Sequence, residues 1–132
     1  MTAEELLREG AGTLPPRDGI PAPAREARWL LGRAMGVEES WLLIHPEAGV
    51  PSETASRYRE WVTRRAAGEP AHHLTGRCTF WGREFRVSPA VLVPRPETEL
   101  LIQTILALPL SKTARVLDVG TGSGCLAISL AA

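Results

Sequence analysis

The chain has 132 residues, 44% hydrophobic and 23% charged, with fifteen basic and fifteen acidic side chains that cancel. This is ordinary globular usage; it excludes a disordered or fibrous chain and leaves no global field to draw it to nucleic acid or membrane. The length has room for one ordinary domain, or for one small domain with part of another.

The N-terminal stretch "MTAEELLREG" is acidic and amphipathic, unlike a basic leader followed by an apolar run, and no segment reaches the ~18 consecutive apolar residues of a membrane span. A cytoplasmic location is the expectation. In "TAEELLREGAGTL", Ala3, Leu6, Leu7, Ala11 and Leu14 recur at helical spacing, with Thr2 placed to cap and Glu4 and Glu5 at the positive helix end. "PPRDGIPAP" interrupts the pattern. "AREARWLLGRAMG" then predicts a second helix, with Ala27, Leu30, Leu31, Ala34 and Met35 on one face and Gly36 as its stop. "EESWLLIHPE" predicts a short helix that Pro46 ends, with His45 as a helix-end residue. Ser52 is expected to cap a longer helix with an inner stripe of Ala55, Tyr58, Trp61, Val62 and Ala66. Trp29, Trp41 and Trp61 all fall in these helices and are expected in the core of a small bundle.

Charge is unevenly spread. Residues 1–56 hold five arginines against nine acids, and residues 57–95 hold eight arginines against three. The basic middle can be a solvated helix face with packed guanidinium stems, or a surface facing an acidic partner. Cys78 and Cys125 are too few and too ill-spaced for a disulfide framework or a zinc site, and read as small core fillers.

After "AAGEP" the period changes. "RCTFWGREFRVSP", with Phe80, Phe85 and Val87 around Gly82, predicts a β-hairpin. In "AVLVPRPETELLIQTILAL", Pro94 and Pro96 hold Arg95 extended, and Pro96 opens a helix with Leu101, Ile105 and Leu108 as its buried stripe. Glu97 and Glu99 sit where a helix start favours carboxylates. "SKTA" is a turn, "RVLDV" a strand apolar enough to be covered on both faces, and the closing segment a helix. The order describes a multidomain α/β chain: a helical N-terminal domain over 1–70, a hairpin linker over 71–95, and the start of an α/β domain over 96–132.

The turn "DVGTGSG" lies between that strand and helix, where α/β sheets bind ligands. No Gly-Lys-Ser/Thr follows, so it is not a P-loop, and Cys125 stands where the dinucleotide fingerprint needs its third glycine. Glycines at 120, 122 and 124, with Asp118 at the strand end, let the backbone approach a ligand closely. S-adenosylmethionine carries a carboxylate and no phosphate, which suits such a turn; a purely structural turn and a nucleotide site remain open alternatives.

"GEPAHHLTGRCTFWGREFRVSPAVLVPRPETELLIQ" followed by "RVLDVGTGSGCLAISLA" closely resembles the HemK family of release factor glutamine methyltransferases, almost continuously from Gly68 to Ala132. The combination of "VLVPRPETE" with this glycine turn carries the resemblance. It implies transfer of a methyl group from S-adenosyl-L-methionine to the glutamine side-chain nitrogen of the Gly-Gly-Gln motif in class 1 peptide chain release factors. It also implies a Rossmann-like class I methyltransferase domain behind the helical domain and hairpin, and a monomer with no nucleic-acid or membrane partner.

By the same resemblance, Gly120, Thr121, Gly122, Ser123 and Gly124 would line the methionine part of the cofactor, and Asp118 would anchor the turn. Arg95, Pro96, Glu97 and Thr98 would border the cofactor pocket. A linker salt bridge is the alternative for Arg95, and helix capping for Glu97 and Glu99. His72 and His73 replace the family's usual pair, and Thr79 replaces a glutamate common in "EFWG". The family's Asn-Pro-Pro-Tyr motif, which would hold the glutamine amide, has no counterpart, because the chain contains no asparagine. The acidic strand end that would bind the ribose is missing too. The chain is therefore expected to be the front part of a methyltransferase and inactive alone. A non-catalytic protein-binding module and an adenine-directed nucleic-acid methyltransferase are the rival readings.

Overall fold

The computed structural model describes residues 1–17 and 20–132; Asp18 and Gly19, within the expected break "PPRDGIPAP", lie outside the described residues. Thr2 opens α1 (Ala3–Thr13) through a reciprocal capping box. Its hydroxyl accepts the Glu5 N–H at 3.3 Å, and Glu5 Oε2 accepts the Thr2 N–H at 2.8 Å. α2 (Pro23–Met35) starts on a proline and stops at Gly36 in the left-handed conformation. α3 (Glu39–Ile44) ends at His45, ahead of Pro46. α4 (Ser52–Ala66) departs from the expected cap: Pro51 takes the N-cap position and Ser52 is already helical, with no side-chain cap bond. A one-turn helix, α5 (Ala71–Thr75), follows.

The chain divides into two compact units, Met1–Leu74 and Thr75–Ala132. In the first, α1 packs on α2 and α4, and α2 packs on α3 and α4. Leu6, Leu30, Leu31 and Tyr58 are fully enclosed there, with Ala27, Leu42, Ala55 and Val62 around them. Each large apolar side chain contributes about 1.5–3 kcal/mol by leaving water. The Tyr58 hydroxyl donates to the Leu6 carbonyl at 3.3 Å, and burial pushes the phenol pKa far up. The Tyr58 ring lies directly over Gly10.

The tryptophans sit differently from expectation. Trp29 and Trp61 are half-buried at the rim of this core, and Trp41 is 37% exposed. Their faces are partly covered by other groups: Arg33 lies over Trp29 and Arg57 over Trp61, each at 5.8 Å, and His45 lies 4.5 Å from Trp41.

Half of the basic middle lies in this unit, as Arg57, Arg59, Arg64 and Arg65, and is engaged within it. Arg59 meets Glu9 at 2.7 Å, Arg64 meets Glu69 at 2.6 Å, and the mostly buried Arg65 meets Glu26 at 2.7 Å. Arg17 donates to the carbonyl of Ala66, at the end of α4, at 2.8 Å. This geometry favours packed and paired guanidinium groups over a surface reserved for an acidic partner.

The ion pairs make stability depend on acid. The Arg59 guanidinium holds the Glu9 carboxyl below its ordinary value, Arg64 does the same for Glu69, and the Thr2 N–H does so for Glu5. Carboxyls depressed in the fold add stability above their unfolded value and lose it as pH falls through their folded values. The urea midpoint is therefore expected to drop between about pH 5 and pH 3, and to drop less in a Glu9→Gln, Glu69→Gln double variant. Equal acid sensitivity of parent and variant would remove these pairs from the account.

In the second unit, β1 (Arg77–Phe80) and β2 (Arg83–Arg86) pair antiparallel, with Phe80 opposite Arg83. Trp81 (φ +51°) and Gly82 (φ +70°) form the two-residue turn, whose positive angles match the strand twist. Pro96–Thr98 form a 3-10 turn that leads into α6 (Glu99–Leu106), and α7 (Cys125–Ala131) follows the glycine turn. Phe80, Phe85 and Ile102 are the buried centre, with Trp81, Cys125, Leu126 and Leu130 packed on them.

Two expectations fail here. The buried residue of α6 is Ile102, while Leu101 and Leu108 are exposed and Ile105 is half-buried. Only the Ile102 side of this helix meets the two phenylalanines, and Leu108 lies past the helix end. "RVLDV" forms no strand: among the described residues the only sheet is β1–β2, so residues 115–119 have no ladder to join. Val116, Leu117 and Val119 are accordingly exposed. No helix among the described residues is long and apolar enough to cross a membrane.

Candidate functional site

The turn after Asp118 adopts a backbone that its sequence demands. Gly120, Gly122 and Gly124 have φ of +73°, +56° and +81°, the left-handed region where a side chain is strained. A Cβ at Gly120 or Gly122 would meet nothing within 4 Å, so no packed neighbour requires glycine there. The backbone angle does, and the space beside it stays open. Thr121 and Gly124 close the turn, with Gly124 N donating to Thr121 O at 2.9 Å.

Two polar atoms beside the turn have no partner among the described residues. Asp118 Oδ2 and Ser123 Oγ are both buried and unbonded. A buried carboxylate oxygen without a donor is costly, so such atoms are where a ligand's N–H or O–H would bring most. Ser129 Oγ on α7 is buried and unbonded as well, a residue that sequence reasoning missed because it sits inside an apolar helix run. A cavity of about 290 Å³ adjoins Asp118, lined by Lys112, Val116 and Leu130 among others.

The second expected segment lies on the surface. Arg95 is exposed and extended (φ −101°, ψ 142°), as its flanking prolines require. Among the described residues no ion pair joins it to a carboxylate, so the linker salt bridge is not formed. Pro96 and Glu97 are exposed and Thr98 is half-buried, with Thr98 N donating to Arg95 O at 3.0 Å. Neither Glu97 nor Glu99 makes a side-chain cap bond. Glu99 instead accepts the Trp81 N–H at 2.8 Å, a role with no helix-capping content.

Both segments are anchored to one cluster. Ile102 follows the "PRPET" turn by one helical turn, and Cys125 and Leu126 directly follow Gly124; all pack with Phe80 and Phe85. In the helical unit, His72 lies edge-on to Trp29 at 5.4 Å, beside a cavity of about 320 Å³.

Comparison with known proteins supplies the family. Residues 5–76 match the PrmC N-terminal domain. Proteins named release factor glutamine methyltransferase are similar along most or all of the chain. The one from Koribacter versatilis is 47% identical over 84% of this chain and 40% of its own length. That from Cereibacter sphaeroides is 43% identical over 100% of this chain and 46% of its own length. The Escherichia coli protein is 37% identical over 99% of this chain and 46% of its own length. The chain thus spans less than half the length of these relatives. With the PrmC N-terminal domain matched over more than half of its residues, the chain belongs to the HemK family.

Proposed function

We propose that this chain is the cofactor-gripping front part of a methyltransferase acting on the Gly-Gly-Gln glutamine of class 1 release factors. The observation that carries the reading is the glycine turn: three left-handed glycines in alternation, beside two buried oxygens, Asp118 Oδ2 and Ser123 Oγ, that lack partners. S-adenosyl-L-methionine would supply an activated methyl group when bound.

The residues present fit that group. A sulfonium amino acid offers an ammonium, which suits the orphaned Asp118 carboxylate, and a carboxylate, which suits the Ser123 hydroxyl and turn amides. Gly120 and Gly122 leave the backbone uncovered, so ligand atoms can approach it closely. Thr121 and Gly124 hold the turn's shape, and Arg95, Pro96, Glu97 and Thr98 border the same pocket in the family arrangement. The domain divisions at about 70 and 95 belong to this reading, as does a Rossmann-like sheet in the whole methyltransferase, whose further strands residues 115–119 would need before they could pair. So do a monomeric state, a cytoplasmic location and the absence of a nucleic-acid partner.

Alignment of the reactants is the main catalytic task in such a displacement. The glutamine amide would have to be held by acceptors for both its hydrogens, and the chain has no asparagine to offer them. The chain alone is therefore expected to bind cofactor without transferring methyl. Calorimetric titration of S-adenosylmethionine tests this. The parent should bind, and Gly122→Ala should weaken binding by about tenfold, because the left-handed angle costs about 1–2 kcal/mol with a Cβ. Equal affinity in parent and variant would refute the turn as the cofactor cradle. Release-factor binding with no cofactor binding would favour a docking module instead.

A further inference from the structure

We propose that Glu99 is a positioning residue, a latch that ties the hairpin tip to the first turn of α6 and so holds Arg95–Thr98 in place. The cofactor side of this inference rests on the reading of Arg95–Thr98 as a pocket border.

The hairpin tip creates the need for a latch. In a two-residue turn, the N–H of the first turn residue points away from the ladder, so Trp81 finds no acceptor within β1 and β2. Glu99 Oε1 provides one at 2.8 Å, across 18 residues of sequence, in a partly buried setting. A charged acceptor makes this a strong hydrogen bond. The same residue carries a second cost. Trp81 is the positive-φ residue without the freedom of glycine among the described residues, in a position that asparagine or glycine adopts more readily.

What holds Trp81 there is α6. Its ring packs on the cluster of Phe80, Phe85 and Ile102, while its amide is bound by Glu99. Glu99 and Ile102 are three residues apart and share a helix face. One side of the first turn of α6 therefore grips both ring and backbone of the hairpin tip.

The consequence falls on the residues just before Glu99. Arg95, Pro96 and Glu97 are exposed and are held chiefly by their own short turn. On the N-terminal side, Pro94 O lies 3.7 Å from Cys78 Sγ in β1. On the C-terminal side stands Glu99. The segment is thus pinned to the hairpin at both ends, and the Glu99 bond is the stronger pin. Its loss would free the border residues without touching the glycine turn.

The test uses isotope-labelled chain in three forms: parent, Glu99→Ala and Glu99→Gln, the last keeping an acceptor oxygen at the same reach. Amide exchange at Trp81 and resonance shifts on titration with S-adenosylmethionine are read by NMR. Trp81 exchange should rise about tenfold or more in Glu99→Ala and much less in Glu99→Gln. In Glu99→Ala the shifts at Arg95–Thr98 should shrink severalfold while those at Gly120–Gly124 persist, and Glu99→Gln should restore them. Unchanged Trp81 exchange in Glu99→Ala overturns the latch. Faster exchange with unchanged shifts at Arg95–Thr98 overturns the positioning role. If the parent shows shifts at neither segment, the cofactor reading and the positioning role fail together, and Trp81 exchange still decides the latch by itself.

Discussion

Replacing Gly10 by alanine is expected to destabilise the helical unit by about 3 kcal/mol or more, whereas replacing Gly12 by alanine is expected to stabilise it by about 0.5–1 kcal/mol. The two glycines lie two residues apart in one helix and neither has a positive φ, so helix propensity alone favours alanine at both. Packing separates them. A Cβ at Gly10 would run into the Tyr58 hydroxyl and would stand 2.9 Å from Cζ of the same ring. At Gly12 nothing lies within 4 Å. Tyr58 is wholly enclosed and cannot swing aside without opening the core and losing its bond to Leu6 O. α1 would have to lift away from α4 instead. Urea denaturation of the two single variants checks the contrast. A Gly10→Ala, Tyr58→Leu double variant should recover part of the loss, because the ring causes the clash. Equal effects of Gly10→Ala and Gly12→Ala would mean that the α1–α4 contact is not the tight one described.

Phe80→Ala is expected to cost about 3–5 kcal/mol and to unfold the second unit while leaving the first intact. The buried centre of Thr75–Ala132 is small: Phe80, Phe85 and Ile102, with the two phenylalanine rings edge-on at 6.3 Å. Phe80 touches the hairpin and both helices' contributions to that centre, so little remains to cover Ile102 once the ring is gone. The helical unit has its own cluster and does not share Phe80. Hydrogen exchange resolved by residue reads the result. Protection should vanish from Arg77 to Ala132 and persist at Leu30, Leu31 and Tyr58. A cooperative loss in both units at once would contradict their independence.

The legible part of this molecule was the part written in local chemistry. Thr2 with Glu5, Gly36 after a periodic run, and Pro46 after "WLLI" each mark a helix end through atoms close by in sequence, and each marks it correctly. The hairpin was legible for the same reason, with Gly82 at its tip. Ser52 is not the cap because the helix begins one residue earlier: the Ala55 N–H donates to Pro51 O at 2.9 Å, which puts Ser52 inside the first turn. Errors grow where an outcome depends on a distant neighbour. The periodicity of α6 points to Leu101, Ile105 and Leu108, but Phe80 and Phe85, some 20 residues away, select Ile102. "RVLDV" has the composition of a strand, yet a strand is a relation between two segments, and among the described residues no partner pairs with it. The Glu99–Trp81 bond was illegible because it joins two motifs that were read separately. At the candidate site, spacing alone pointed to the three glycines, whereas the stranded oxygens of Asp118 and Ser123 required coordinates.

The contact of Gly10 and Leu6 with Tyr58 also sets an order of events during synthesis. α1 leaves the ribosome before α4 and cannot lock at once, because its partner ring lies 52 residues downstream of Leu6. Until α2 emerges, α1 is a lone helix of 11 residues, near the length at which isolated helices barely persist in water. Once Tyr58 and the arginine that pairs with Glu9 arrive, the bundle can close as a unit. The glycine turn is made only afterwards. The segment proposed to hold the cofactor is therefore translated after every residue of the helical unit's core.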